Sequence, residues 1–321
     1  MTAGYREQAL ALGSRGALVG VLTQPDGPVD LSRPVVITVN AGLVHRVGPQ
    51  RMHVTLLRRL AQCGFTGMRF DFSGIGDSPT RTDQLPYIRS TLEELREVMD
   101  DVTTRTGHTR FCVIGLSSGA LVAMAGAGAD PRVAGVGMLN PHGFGASSVW
   151  GEHVESVYLG KVYAGNVFSL HSWRKLLTGR TDYRRMWHAL RYRLGGGRPA
   201  QGERSAELEA TVQGARPELM AFLARALPTL MVFSQRDRSL HNLEQILGQS
   251  WRQRLGRNVK VVEIADANHT FASPVHLQQA LQVIETWLVD CWPGAALAEP
   301  GPPPRRSAEA AAATPGDSDG F

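Results

Sequence analysis

Lysine is nearly missing from this chain: Lys161, Lys175 and Lys260 are the only three among 34 basic residues. Arginine and lysine are not equivalent at anion sites, and no single site would demand so many guanidinium groups, so the bias reads as compositional. Against 29 acidic residues the formal net charge is only +5. A nucleic-acid partner would need that charge clustered on one face, and none is expected. Cysteine is scarce too. Cys63, Cys112 and Cys291 lie far apart, with neither CxxC nor Cys/His metal spacing, which argues against a disulfide framework and for a reducing compartment. No run of 18 apolar residues occurs and no charged-then-apolar leader precedes Pro25, so neither a membrane span nor a signal peptide is expected, and a cytoplasmic location follows. The 35 glycines follow no three-residue period and no 20–50-residue repeat is visible, which excludes collagen and solenoids. What is present is the composition of one large globular domain or two small ones, with 43% hydrophobic and 20% charged residues in 321.

Short runs over Tyr5–Ala11 and Ala17–Thr23, split by Gly13-Ser14-Arg15-Gly16, predict an N-terminal β-hairpin. The uninterrupted β-branched run Pro34–Asn40 predicts a strand covered on both faces. A helix through Leu56, Leu57, Leu60 and Ala61 ending at Gly64, then a strand over Gly67–Asp71, begin an alternation of helix and strand. Ser90-Thr-Leu-Glu93 has the pattern of a capping box opening a helix that Gly107 ends. Strands are expected over Arg110–Gly115, Val133–Asn140, Thr229–Ser234 and Val259–Ile264, with helices over Ser118–Gly128, Leu243–Leu255 and from Ser273-Pro274 onward. Eight strands alternating late with helices predict an α/β fold, a mostly parallel, doubly wound sheet. One interval breaks the pattern. Residues 143–227 hold no convincing strand but carry ten of the 22 Phe, Trp and Tyr residues, as expected of an inserted helical cap between core segments 1–142 and 228–292. Residues 293–321, rich in Pro, Ala and Gly, are expected to be a disordered tail.

The most informative stretch is Phe111-Cys-Val-Ile-Gly115-Leu-Ser117-Ser-Gly119, an apolar strand running into G-x-S-x-G and a helix of small residues. That is the context of a nucleophile elbow. A serine on so tight a turn has a strained backbone, and glycine two residues to either side lets the chains pass closely. The helix N-terminus behind it favours negative charge developing at the site. Neither GxxxxGK[ST] nor GxGxxG follows the first core strand, so the glycine loops are not a nucleotide site.

With these residues the chain resembles the alpha/beta-hydrolase superfamily, over most of residues 5–290. The resemblance implies the chain order serine, acid, histidine. Ser117 is then the nucleophile; Asp237, just after the strand Thr229–Ser234, is the acid; and His269, in the loop after the last strand, is the base. Asp266 is a rival acid, but only three residues before His269 it suits bracing the loop better than reaching the ring. The oxyanion donors would be the backbone N–H groups of Ser118 and Leu43, although Asn40-Ala-Gly42-Leu43 departs from the superfamily's usual His-Gly pair. Asn40–Arg51, Phe70–Ser78 and Ser172–Arg180 resemble a bacterial branch of hydrolases associated with exosortase and polysaccharide gene clusters, related to the serine aminopeptidase and lysophospholipase-like group. That implies ester or acyl hydrolysis without naming a substrate; with the three residues above, the first expectation is a cofactor-independent serine esterase acting on a small-molecule acyl ester.

Arg46 and Arg51, just past the oxyanion loop, could clamp a substrate carboxylate or phosphate, but ion pairing of these arginines with Asp71 or Asp77 is the preferred reading. None of the other nine histidines shows HExxH spacing, so no metal is expected. The same three residues would equally serve an acyltransferase or thioesterase working on a carrier-bound acyl group, and a non-catalytic binding module could keep the fold. An elbow aspartate, needed for epoxide or haloalkane chemistry in relatives, is replaced here by Ser117.

Overall fold

The computed structural model of the protein describes residues 4–142, except 15 and 84, and 216–294, except 249. Eight strands form one sheet: β1 (Tyr5–Leu12), β2 (Leu18–Pro25), β3 (Val35–Val39), β4 (Gly67–Phe70), β5 (Phe111–Leu116), β6 (Val133–Leu139), β7 (Thr229–Ser234) and β8 (Val259–Ile264). Their order across the sheet is β1-β2-β4-β3-β5-β6-β7-β8. Only β2 runs against its neighbours, pairing antiparallel with both β1 and β4; every pairing from β4 to β8 is parallel. This is the open, doubly wound arrangement of an alpha/beta-hydrolase fold.

The helices are α1 (Met52–Gln62), α2 (Tyr87–Thr106), α3 (Ser118–Ala129), α4 over 216–223, α5 (Ser239–Leu247) and α6 (Pro274–Cys291). The two-residue period of the strands divides the core. In β5, Phe111 and Val113 face one layer with Val98 and Met99 of α2, Ala123 of α3 and Leu243 of α5. Cys112, Ile114 and Leu116 face the other, against Leu56 and Leu60 of α1 and Leu281 and Ile284 of α6. With both faces covered, β3, β5 and β7 bury every residue, as a parallel sheet requires. Each fully buried Leu, Ile or Phe of this kind contributes about 1.5–3 kcal/mol relative to exposure.

Two helix boundaries differ from expectation. α2 opens at Tyr87 behind Pro86, not at Ser90. The Ser90 N–H is already bonded to Pro86 O, and its hydroxyl donates back to Tyr87 O at 2.9 Å, so it sits in the first turn and caps nothing. Likewise, the periodicity over Leu243–Leu255 is not one helix: α5 starts earlier, at Ser239, and stops at Gly248, whose positive φ of 83° glycine adopts readily, and a 3-10 turn over Trp251–Arg254 follows. Of the cap expected over 143–227, residues 143–215 lie outside the described residues; α4, in its last part, packs Leu219, Phe222 and Leu223 into the α2/α3 layer. The expected tail beyond Gly294 also lies outside the described residues. Among the described residues no helix is long and apolar enough to cross a membrane.

Candidate active site

β5 delivers Ser117 at the carboxyl end of the sheet, in the gap between its last residue and the first of α3. Ser117 holds φ 58° and ψ −120°, a region most residues avoid and one that costs on the order of 1–3 kcal/mol. Two bonds sustain it: its N–H donates to Leu139 O at 2.9 Å, and its carbonyl accepts from Ala120 N–H at 3.1 Å. The flanking glycines have a steric reason. A Cβ at Gly115 would lie 2.1 Å from Gly119 C and O, and one at Gly119 would lie 2.6 Å from Asn40 O. Both clashes are with backbone, so neither can be relieved by a side chain turning away.

Asp237 and His269 arrive from the next two strand ends. Asp237 follows β7 in a turn closed by its own N–H on Ser234 O, and its Oδ1 accepts Ser239 N–H at 2.8 Å as α5 begins. His269 Nδ1 lies 2.8 Å from Asp237 Oδ2. Burial raises the Asp237 carboxyl, but the bonds from Ser239 and the His269 ring outweigh it, and its pKa falls below the ordinary value. An ionised carboxylate can only accept, so Nδ1 carries a ring proton, and in the neutral tautomer this leaves Nε2 as the acceptor. Asp266 instead meets Arg236, 2.9 Å away on the surface. A second ring lies beside the first: His142 stands edge-on to His269 with centroids 6.0 Å apart, and burial, then His269, lowers its pKa.

The loop after β3 supplies the remaining amides. Val44 N–H bonds Ala41 O at 3.0 Å across a turn with Gly42 at φ 55°, as glycine permits at the first central position of a II′ turn. Gly42 N–H donates to the Ser118 hydroxyl at 2.8 Å. That leaves Leu43 N–H, which has no hydrogen-bond partner among the described residues.

The sequence matches the alpha/beta hydrolase family over residues 41–286. The chain belongs to that family. No curated protein matches it at a meaningful level. Among solved structures, a dienelactone hydrolase of Anabaena variabilis is similar at 16% identity and TM-score 0.51, with 90% of this chain and 99% of that one covered. An esterase of Pyrococcus furiosus is similar at 16% and TM-score 0.52, over 91% and 92%. A serine hydrolase of Xanthomonas campestris, described as having no lid, is similar at 15% and TM-score 0.51, over 91% and 97%. These likenesses establish the shared fold.

For an alpha/beta hydrolase, the two arginines near the oxyanion loop have different surroundings. Arg46 is engaged by Asp71 at 2.5 Å and Asp77 at 2.7 Å, so it stands as an ion pair and not as an open clamp. Arg51 is exposed, at φ 61°, and has no ion pair among the described residues. No group of three His, Cys, Asp or Glu among the described residues could hold a metal.

Two asparagines were not singled out by sequence. Asn40 is fully buried, donates to Val44 O and Asp71 Oδ1, and accepts Phe72 N–H at 2.9 Å. Asn140, also fully buried, donates to Ser234 Oγ and His269 O and accepts Ser234 N–H at 2.7 Å. The available signal was a single polar residue ending an apolar strand, Val39-Asn40 and Leu139-Asn140.

Proposed function

We propose that this alpha/beta hydrolase is a serine esterase that cleaves a carboxylic ester, or a related acyl bond of a small molecule, through an acyl-enzyme on Ser117. The observation that carries this reading is the 2.8 Å bond between His269 Nδ1 and an ionised Asp237, at the same sheet edge as the strained Ser117. A serine hydroxyl is a weak nucleophile at neutral pH and needs a base. His269 Nε2 takes the Ser117 proton as Oγ attacks the acyl carbon, and Asp237 stabilises the imidazolium. The negative oxygen of the tetrahedral intermediate is received by Ser118 N–H at the start of α3 and by Leu43 N–H. As the intermediate collapses, the bond to the leaving alcohol breaks and His269 returns its proton there. Water, deprotonated by the same ring, then attacks the acyl-enzyme, releasing the carboxylic acid and restoring the Ser117 hydroxyl.

The test uses a fluorophosphonate probe and an activated short-chain ester. Labelling at Ser117 is expected, and Ser117→Ala is expected to lose on the order of 10⁴-fold or more in turnover. Absence of labelling together with full turnover by Ser117→Ala would sink the reading.

A further inference from the structure

The β5 elbow and the histidine loop are joined through two consecutive residues at the end of β6. Leu139 O accepts the Ser117 N–H at 2.9 Å, and the Asn140 side chain donates to His269 O at 2.8 Å. Asn140 is rigid: its N–H is bonded to Val232 O, its Oδ1 accepts Ser234 N–H, and its φ of 40° is a left-handed value that asparagine tolerates better than most residues. Three successive carbonyls of the histidine loop are held from the ends of β6 and β7. Arg236 N–H bonds Ala267 O at 3.0 Å, the Ser234 hydroxyl bonds Asn268 O at 2.9 Å, and Asn140 Nδ2 bonds His269 O. The loop needs such support because Asp266 at φ 56° and Phe271 at φ 52° strain it on either side of His269.

The geometry points to Asn140 as a positioning residue that sets where His269 stands relative to Ser117, through a bridge whose other end is the Leu139 carbonyl. This rests on the esterase reading above. Asn140 touches neither ring nitrogen of His269 and takes no proton; it acts through the backbone of the base. Only a neutral group that donates and accepts at once fits there, since its oxygen must meet Ser234 N–H while its nitrogen faces His269 O. Aspartate has the same shape but, ionised, turns an acceptor against that carbonyl.

The experiment compares wild type, Asn140→Asp, Ser234→Ala and Ser117→Ala as full-length proteins. The readouts are kcat and KM for an activated short-chain ester, the rate of fluorophosphonate labelling of Ser117, the downfield imidazole proton of the His269–Asp237 pair, and the melting temperature. A base displaced by about an ångström loses on the order of 10²-fold. Asn140→Asp is therefore expected to lower kcat by roughly 10- to 100-fold with KM little changed, to slow labelling by the same factor, and to shift or broaden the imidazole proton. Ser234→Ala, which removes the hold on Asn268 and one partner of Asn140, should move the same readouts in the same direction by less. A merely structural role would lower the melting temperature while leaving kcat, labelling rate and imidazole proton of the folded protein as in wild type, and that result in either variant overturns the proposal. Failure of the esterase reading is distinguishable: Ser117→Ala would keep full activity, and no variant would be labelled.

Discussion

Gly115→Ala tests the steric logic of the elbow directly. The added methyl would sit 2.1 Å from the Gly119 carbonyl carbon and oxygen and 2.6 Å from Ala120 N, all main-chain atoms in the first turn of α3. Overpacking of this kind costs about 1–3 kcal/mol and more where nothing can rotate away, so about 3 kcal/mol is the expected floor. For a domain of this size that corresponds to a fall of roughly 6–12 °C in melting temperature. Gly128→Ala provides the contrast within the same helix. A Cβ there meets nothing within 4 Å, its φ is not left-handed, and loss of glycine's freedom in the unfolded chain should stabilise by about 0.4–1 kcal/mol. Thermal melts of both variants beside wild type, with fluorophosphonate labelling of each below its transition, provide the measurement. Gly115→Ala should melt earlier and label more slowly, because relief of the clash must move Ser117 or α3. If it melts within about 2 °C of wild type, less than 1 kcal/mol on the same scale, with unchanged labelling, the close-approach argument is wrong.

Three further outcomes follow from the charged groups. Because the Asp237 carboxyl is held below its ordinary value, its stabilisation is complete above the unfolded-chain pKa and fades as pH falls through the lower folded one; the urea-midpoint gap between wild type and Asp237→Asn should be present at pH 5 and shrink below about pH 4, and a gap that widens on acidification would contradict this. Glu94 has the opposite sign: burial raises its pKa despite the bonds from Ser73 N–H and Arg81, so its ionised form weighs against folding as pH rises through the interval between unfolded and folded values. Glu94→Gln keeps an acceptor for Ser73 and should be neutral or stabilising at pH 7, with any advantage gone near pH 4, as paired melts at the two pH values would reveal. Asp71→Ala should cost about 3–5 kcal/mol by removing the acceptor of Arg46 N–H, one of the two acceptors of Asn40 Nδ2 and the buried half of the Arg46 pairing, whereas Asp77→Ala, at an exposed carboxylate, should cost under about 1 kcal/mol; equal urea midpoints would refute the distinction.

The sheet was legible from sequence because β3, β5 and β7 are short apolar runs between turn residues, and burial on both faces leaves just that imprint. Gly115 was legible because the clash it avoids is local, four residues away at Gly119, whereas Gly119 clears Asn40 O and was legible only through its place in the G-x-S-x-G pattern. The start of α2 was misread because Ser90 and Glu93 have the spacing of a cap, while the Leu85-Pro86 pair that starts the helix three residues earlier carries no such pattern. Arg46 could be listed with its two carboxylates but not assigned to them, since that choice depends on how two loops meet. The asparagines are the extreme case. Asn140 bonds groups 94 and 129 residues away, and no local pattern encodes a partner at that distance.

Those two asparagines occupy equivalent places on either side of β5, the strand that carries Ser117. β5 lies between β3 and β6, and Asn40 and Asn140 are the residues that immediately follow these neighbours. Each reaches outward to the next strand end: Asn40 to Asp71 and Phe72 beyond β4, Asn140 to Ser234 at the end of β7 and to His269 beyond β8. Each also borders the elbow itself, for Asn40 O is the atom that Gly119 must clear and Leu139 O takes the Ser117 N–H. At a strand end the ladder runs out and leaves amides and carbonyls unpaired, and burying them unpaired would cost about 1–3 kcal/mol each. A side-chain amide answers both kinds with a donor and an acceptor on separate atoms, and it adds no charge of its own beside the proposed Ser117–His269 chemistry. The strained serine is thus flanked on both sides by side-chain amide bridges, and on the esterase reading loosening either one should move the site without altering a group that does the chemistry.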